Sequence, residues 1–320
     1  MKAKKICNRL NKAIEEKKNI YGFIHSVHKR AFNIMTSEFK LISVMNCEHS
    51  MAPCSLMLDR EENFVSLGIE QGMRVIIFEE LIDIPQVSLA IDLMEAQPWD
   101  PTPKFVVDKA KRSEIAERIA IVEKCIYEFG RFEGIAPLVL RVNIRKSGEG
   151  FVHSQANYNK YCKFIEKKFL RLIDHLQEDR LKEAAKIAKK IMGFGPGLTP
   201  SVDDVLVGIM LSLIYFLHYI GEDRLEAKLL SEEVLKAVKN ETTAVSFKML
   251  TFASKGETNE DIRQLLIDIF SNNRKEKLIK SLKKVLTFGA SSGTDIICGI
   301  YLGCSIMINK YEVKSDVCSS

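Results

Sequence analysis

The sequence predicts an α+β protein in which an N-terminal antiparallel β domain, either a barrel or a sandwich, precedes a mostly helical C-terminal domain. Three observations indicate this fold class. Short apolar runs fill the first hundred residues, a proline-rich segment follows them, and apolar residues then recur at helical spacing. A chain of 320 residues is long enough for two domains. We therefore predict a β-rich domain over 1–100 and a helical domain over 101–320.

Five short apolar runs predict the strands of the N-terminal domain. They are rich in β-branched residues and are bounded by glycine, proline and charged residues that favour turns. The runs cover residues 40–46, 55–59, 63–67, 73–79 and 87–93. No segment with helical spacing separates them, so the strands are expected to pair antiparallel.

A proline-rich segment predicts the boundary between the two domains. The sequence QPWDPTP at 97–103 holds three of the eight prolines and the only Trp of the chain. Proline interrupts helices and central strands, so we interpret this segment as a linker. Most of the chain after it has helical spacing. The exception is the segment 131–151, which is compatible with a strand or a buried turn of helix, and the role of nearby His153 stays open.

The charge balance narrows the classes of ligand. Lys and Arg number 47 against 42 Asp and Glu, which leaves a net charge of +5. Nucleic-acid binding usually concentrates basic residues on one face, so we expect no nucleic-acid partner. The small positive excess favours a small anionic substrate.

Two further patterns predict a cytoplasmic protein without a membrane partner. The apolar stretch at 205–220 is shorter than a membrane span requires and is expected to form a buried helix. The eight cysteines form no C-x-x-C pair, and the first residues lack the apolar core of a secretory signal. We therefore expect reduced thiols and a cytoplasmic location.

The segment GFGPGLTPSVDDVLVGIMLSL at 193–213 carries the strongest functional signal. Its glycines and prolines exclude a helix before residue 201 and predict a loop whose backbone amides can approach a ligand closely. Ser201 is expected to cap the apolar helix that follows, with Asp204 three residues on as in a capping box. A glycine-rich loop that leads into a helix N-terminus is a favourable site for an anion.

A second glycine loop precedes another apolar helix at 288–308, in the sequence FGASSGTDIICGIYLGCSIMI. Aligning Asp204 with Asp295 places Ser201 on Ser292, so both segments contain S-x-x-D-x-x-x-G. We predict that the two helix N-termini lie close together at one cleft.

Small residues inside both apolar helices predict close packing between them. Gly208 and Ser212 occupy the first helix, and Gly299 and Gly303 stand at the equivalent positions of the second. A glycine inside a helix costs about 1 kcal/mol relative to alanine, so a close backbone contact should offset this cost. We therefore predict that the helices touch at these four residues.

The two segments together supply the candidate site residues. The catalytic candidates are Asp203, Asp204 and Asp295, whose carboxylates are suited to hold Mg²⁺ or to orient an amide-bearing substrate. The anion-binding candidates are Gly195, Gly197, Thr199, Ser201, Ser291, Ser292 and Gly293. Helix capping alone is the alternative explanation for Asp204 and Asp295, whereas Asp203 has less evident structural use.

The glycine-loop sequence GFGPGLTPSVDDVLVG at 193–208 resembles the hallmark of a known family, that of the AllH subunit of bacterial oxamate carbamoyltransferase. The hallmark reads G-x-G-P-G-L-T-P-S-G-D-D-x-L-x-G, and Val202 replaces its fourth glycine. Val202 implies that this position needs no positive φ, and Ala290 stands where the family's second loop often carries histidine. Comparable segments lie at 26–34, 52–59, 95–103 and 288–300, so the resemblance covers nearly the whole chain.

The resemblance implies one component of a multi-subunit carbamoyltransferase with partner subunits. Such an enzyme interconverts oxalurate and phosphate with oxamate and carbamoyl phosphate in allantoin or purine degradation. No catalytic residue is carried over from the family. Under this interpretation the loop at 195–201 binds phosphate or carboxylate, Asp203 and Asp204 orient the amide nitrogen or a metal, and the loop at 290–294 closes the cleft. A non-catalytic scaffold subunit and a small-carboxylate-binding module remain the alternative functions.

Overall fold

The computed structural model describes residues 1–17, 19–38, 40–142, 158–223, 225–238 and 241–317. The chain divides into two compact units, Met1–Thr102 with Thr258–Glu260 and Pro103–Glu257 with Asp261–Ser320. His153 and residues 143–151 of the ambiguous segment lie outside the described residues. The described part of that segment contains a short helix, Ala136–Val139, rather than a strand.

The first unit contains a curled nine-stranded sheet, which confirms the predicted β domain. The described strands are β1 (Ala3–Cys7), β2 (Asn19–Val27), β3 (Ala31–Thr36), β4 (Leu41–Met45), β5 (Ser55–Leu58), β6 (Arg74–Phe78), β7 (Leu81–Ile84), β8 (Leu89–Asp92) and β9 (Gln97–Trp99). Their order is β8-β7-β6-β2-β3-β4-β5-β1-β9. Neighbouring strands are antiparallel except for β4 with β5 and β1 with β9. Helix α1 (Asn8–Lys17) connects β1 to β2.

The curl brings β8, at one end of this order, next to the start of β1. Lys2 forms an isolated parallel bridge with Asp92, and the amide of Asp92 donates to Met1 O at 2.8 Å. The N-terminal ammonium also donates to Ala90 O at 2.8 Å. Buried and partly buried residues alternate along β3, as expected for a strand with one face on the core. This closure favours the barrel over the sandwich.

The predicted strand at 63–67 is wrong, although the other four predicted runs each contain a strand. Residues 64–68 form a turn, and Gly68 ends it with a φ of 73°. Phe64 is fully buried and its ring packs edge-on against Phe32 at 4.9 Å. The apolar signal of this run therefore reflects a core contact made from a turn.

The predicted linker begins later than expected. Gln97–Trp99 forms β9, which pairs parallel to β1 at the end of the strand order. Pro98 is tolerated there because the strand lies at the edge of the sheet, where a missing N–H removes no ladder hydrogen bond. Trp99 is buried in the core of the first unit.

The second unit is helical, as predicted. Its described helices are α2 (Arg112–Phe129), α3 (Ala136–Val139), α4 (Lys160–Gln177), α5 (Leu181–Ile191), α6 (Ser201–Ile220), α7 (Leu225–Val238), α8 (Ala244–Ala253), α9 (Glu260–Phe270), α10 (Lys275–Leu286) and α11 (Ser292–Val317). Nearly every residue of α6 is buried, so the other helices surround it. α11 packs along α6, and both begin directly after a glycine loop.

The predicted contact between the two apolar helices is confirmed. A Cβ atom at Gly208 would overlap Ile296 O and would lie 2.9 Å from the Cα of Gly299. A Cβ atom at Gly299 would in turn overlap Val205 O. Because these clashes are with backbone atoms, only glycine allows the axes of α6 and α11 to come this close. The glycines therefore set the spacing between the two helix N-termini.

Helix α6 is longer than the apolar run suggested. It has 20 residues and, among the described residues, is the helix long and apolar enough to cross a membrane by length and composition. The expectation that it is too short for a span is therefore wrong, because Ser201–Asp204 belong to the helix. However, 89% of its apolar window is buried inside the protein, as in the core helix of a helical domain.

Candidate functional site

The first turns of α6 and α11 meet, and the loops that precede them touch. Thr199 Oγ1 donates a hydrogen bond to Ser292 Oγ at 3.2 Å, which joins the loop before α6 to the start of α11. Ser201 and Ser291 are buried at the same place, whereas Thr199 and Ser292 are half-buried above them. The structure therefore brings together the serine and threonine candidates of both glycine loops.

The two S-x-x-D motifs exchange partners across the helix pair. Ser292 lies beside Asp204, and Ser201 lies beside Asp295, so each serine faces the aspartate of the other motif. The expected capping box is wrong. Pro200 occupies the N-cap position of α6, and no side chain caps the helix. The repeated motif thus pairs two helices instead of closing each helix end separately.

Asp204 and Asp295 are buried acids, with 1% and 0% of their surface exposed. Burial raises the pKa of Asp295 to about 7 and raises the pKa of Asp204 well above its usual value. The nearby hydroxyls, Ser292 at Asp204 and Ser201 at Asp295, lower these pKa values only in part. Both carboxyls lie beneath the loops, whereas the sequence predicted a cleft.

The hydrogen bonding of the two acids is incomplete. Asp295 Oδ1 accepts from the amide of Ile135 at 3.1 Å. Within the described part of the chain, Asp295 Oδ2, both carboxylate oxygens of Asp204 and Ser201 Oγ have no hydrogen-bond partner. The neighbouring hydroxyls are close enough to influence the pKa values, but none reaches these oxygens with hydrogen-bond geometry. A buried polar atom without a partner costs about 1–3 kcal/mol, so these atoms are a costly feature of the fold.

A third segment, residues 131–135, completes the site and was missed from the sequence. A Cβ atom at Gly134 would lie 2.6 Å from Asp295 Oδ1 and 2.7 Å from Ser201 Oγ, so a larger residue there would force these side chains to shift. Asn159 Nδ2 donates to Gly134 O at 2.7 Å and holds the segment in place. The only local signal is an isolated glycine, because the contacts join residues about 160 positions apart.

Arg131, at the start of the same segment, binds the second glycine loop. Its amide donates to Thr294 Oγ1 at 3.0 Å, and its guanidinium donates to Gly289 O. Arg131 is exposed, so it places a positive charge at the surface beside the loop that precedes α11.

Asp203 has hydrogen-bond partners of its own and braces the loop before α6. Its Oδ1 accepts from the amide of Gly193 at 2.8 Å, and its Oδ2 accepts from the Thr242 hydroxyl. Burial raises the pKa of Asp203, and these two hydrogen bonds lower it in part. The contacts reverse the sequence interpretation, because Asp203 has structural partners whereas Asp204 has none.

Replacing Asp203 with alanine is expected to lower the free energy of unfolding by about 1–3 kcal/mol, because the Gly193 amide and the Thr242 hydroxyl lose their acceptor. Thr242→Val should cost less, and the two changes together should be less than additive because they remove one shared interaction. Urea denaturation of the four proteins measures this coupling. Fully additive losses would contradict the brace.

The remaining anion-binding candidates divide into two groups. Gly195 and Gly197 have positive φ values of 129° and 91°, so the loop turns through conformations that favour glycine. In the described part of the chain, the amides of residues 197–199 donate to no protein acceptor.

Gly293 differs, because its amide donates to Phe288 O at 3.1 Å and a Cβ there would overlap Val285 O. Gly293 therefore serves helix packing, and a role for it in anion binding stays a prediction. Val202 lies inside α6, where no positive φ is needed.

The described residues contain no group of three or more His, Cys, Asp or Glu side chains arranged to hold a metal ion. Asp204 and Asp295 are two carboxyls with hydroxyls around them, which is a sparse set for Mg²⁺ without substrate oxygens. Binding of Mg²⁺ at this site stays a prediction.

Two family models match the chain. The model of the AllH family N-terminal domain matches residues 2–98, which include the nine-stranded sheet except for the last residue of β9. The model described as oxamate carbamoyltransferase subunit AllH matches residues 191–304, which include both glycine loops and the contact between α6 and α11. No solved structure matches the chain significantly.

Proposed function

The chain belongs to the AllH family of oxamate carbamoyltransferase subunits, and we propose from this premise that its two glycine loops bind the anionic groups of the substrates of carbamoyl transfer. The substrates would be oxamate and carbamoyl phosphate in one direction, and oxalurate and phosphate in the other. As a subunit, the chain works with partner proteins. We further propose a cytoplasmic role in allantoin or purine degradation.

The meeting of two glycine-loop helix N-termini carries this proposal. The first turn of each helix is the positive end of a helix dipole. The amides of Val202 and Gly293 in these turns already donate to Phe194 O and Phe288 O, so the free donors come from the loop before α6. Two such ends side by side suit a phosphate or a carboxylate better than either does alone. The free amides of residues 197–199 and the guanidinium of Arg131 are the donors nearest the surface.

Carbamoyl transfer needs these donors. The amide nitrogen of oxamate attacks the carbamoyl carbon, the carbon–oxygen bond to phosphate breaks, and phosphate leaves with the electron pair. Negative charge therefore grows on the leaving phosphate, and fixed N–H groups stabilise it without reorganisation. Asp204 and Asp295 stay our candidates for the proton that the nitrogen loses, whereas Asp203 is assigned to the brace.

A thermal melt of the full chain with phosphate, carbamoyl phosphate, oxamate or Mg²⁺ tests whether the loops bind anions. A ligand at about 100 times its dissociation constant stabilises the native state by about 2.7 kcal/mol. For a unit of 150–250 residues, this raises the melting temperature by roughly 5–10 °C. We expect such a rise with the anions.

A matched pair at Leu198 locates the binding. Leu198 is 39% exposed on the loop, so substitution there should not disturb the core. Leu198→Glu places a negative charge beside the free amides and should reduce the rise in melting temperature. Leu198→Gln has the shape of the glutamate variant without its charge and should keep the rise. An equal rise in both variants would place the anion elsewhere.

A scaffold subunit is the second candidate function. Phe164 on α4 is 73% exposed and stacks on Phe194 of the glycine loop at 5.1 Å, which leaves an aromatic surface beside the loop. Such surfaces are typical of sites that bind other proteins. The scaffold role predicts no thermal response to any anion, together with loss of complex assembly in Phe164→Ala. The substrate-binding role predicts instead that the anions raise the melting temperature.

A further inference from the structure

We propose that Asp204, reached through the hydroxyls of Thr199 and Ser292, binds the amide N–H of the substrate and accepts its proton. This inference rests on the proposed function, because it assigns the second half of the same substrate. The loop amides bind the anionic end, and Asp204 binds the end that carries N–H.

Asp204 is a costly residue in the interior of the second unit. Only 1% of the surface of Asp204 is exposed, yet neither carboxylate oxygen has a hydrogen-bond partner in the described part of the chain. The charged groups that raise its pKa are Asp295 and Asp203, which are themselves acids. A buried carboxyl among other acids needs a donor, which is either a proton, a cation or an N–H group.

Asp204 lies next to the half-buried hydroxyls of the site. It lies directly beneath Thr199 and Ser292, which are half-buried and bonded to each other at 3.2 Å. For a ligand bound at the amides of residues 197–199 to reach the carboxyl, these two hydroxyls must turn aside. Ser201 Oγ, fully buried and also without a partner in the described structure, supplies a second polar atom at the same level.

Asp204 differs from Asp295, its equivalent in the other motif. Asp295 Oδ1 already accepts from the Ile135 amide, and Gly134 lies so close to the carboxyl that a Cβ there would force Asp295 to shift. Asp295 therefore acts as a positioning residue that holds segment 131–135 against α11. Asp204 has no backbone partner of this kind, and the polar groups beside it are the hydroxyls of Ser292 and Thr199.

These features define the chemical class of the ligand. It is a small molecule with an anionic group and an amide N–H only a few bonds apart, such as a primary amide or an N-acylurea of a short carboxylic acid. In the forward step, which uses Asp204 in its ionised form, the N–H bond breaks and its proton passes to the Asp204 carboxylate. A bond forms between the nitrogen and the carbamoyl carbon, and phosphate departs with the electrons of the broken carbon–oxygen bond. In the reverse step Asp204 returns the proton.

Oxamate and pyruvate provide a direct test, because they differ only by an NH₂ group in place of a methyl group. Binding of each is measured by calorimetry on the full chain co-purified with its partner subunits. A site built to hydrogen-bond an N–H rejects the analogue without it, so the unchanged chain should prefer oxamate by about 100-fold or more. Asp204→Asn, which presents its own N–H₂, should reduce this preference to about threefold or less. It should also slow carbamoyl transfer by about 100- to 10,000-fold.

Asp203→Asn is the matched control, because it changes a neighbouring buried acid that the structure assigns to the brace. It is expected to lower stability and to keep the preference for oxamate. Circular dichroism and thermal melts of each variant establish that it is folded, and Asp204→Ala provides a second variant without any amide.

Any of three results would overturn the inference. The unchanged chain could bind oxamate and pyruvate equally, or both Asp204 variants could keep the preference for oxamate. Alternatively, oxamate binding could require Mg²⁺, with Mg²⁺ binding lost in the Asp204 variants. Failure of the proposed function gives a different pattern. In that case the co-purified complex forms no oxalurate from oxamate and carbamoyl phosphate, while the preference for N–H and its dependence on Asp204 persist.

Discussion

Replacing Gly299 with alanine is expected to destabilise the protein by about 2–3 kcal/mol, as overpacking of a tight core contact does. The new Cβ would overlap Val205 O and would lie 2.9 Å from the Cα of Gly208. Both neighbours are backbone atoms of α6, so α6 and α11 must move apart to accept the methyl group. The better helix propensity of alanine, about 1 kcal/mol, offsets only part of this loss. Urea denaturation of the full chain measures the change.

Gly303 on the same helix offers a matched control. A Cβ atom there would overlap Ser212 Oγ, whereas the nearest backbone atom, Ile209 O, is 3.2 Å away. Ser212→Ala removes the overlapping hydroxyl, so Gly303→Ala should cost little in that background. Gly303→Ala alone should cost less than Gly299→Ala. An equal loss at both positions, or no rescue by Ser212→Ala, would contradict the role assigned to the backbone contact.

The free energy of unfolding is expected to fall as the pH rises from about 4 to about 7, by as much as about 4 kcal/mol from Asp295. Burial raises the pKa of this carboxyl from 3.8 to about 7. In this window the native protein keeps a proton that the unfolded chain has released, so a rise in pH favours the unfolded state. Below the window both states are protonated, and above it both are ionised, so the contribution of Asp295 becomes constant. Asp204 contributes in the same direction, because burial also raises its pKa.

Asp295→Asn isolates this contribution. The asparagine Oδ1 can still accept from the Ile135 amide, so the variant keeps the anchor of segment 131–135. Its unfolding free energy, measured by urea denaturation at several pH values, should depend less on pH than that of the unchanged chain. Adding Asp204→Asn should flatten the dependence further. The same slope in all three proteins would show that neither acid retains its proton on folding.

Local sequence patterns predicted the parts of this protein that depend on nearby residues. Short β-branched runs and helical spacing indicated the α+β class, because burial on one face has a different period in strands and helices. The paired glycines of α6 and α11 indicated close packing, since a glycine inside an apolar helix has few other uses. The repeated S-x-x-D-x-x-x-G motif also indicated which helix ends belong together. Strands β1, β2, β3, β7 and β9 were not predicted from the sequence. Of these, β1 and β9 pair only with strands that are distant in the sequence or with each other.

The sequence by itself thus determined the fold class, the two glycine loops and the helices that carry them. Only the tertiary structure decided the roles of the three aspartates. Asp203 and Asp204 are adjacent in the chain, but one meets Thr242 and Gly193 while the other meets no hydrogen-bond partner in the described structure. Asp295 is likewise anchored by Ile135, 160 positions away. A carboxyl's role depends on which donors surround it, and those donors come from distant segments that no local pattern reports.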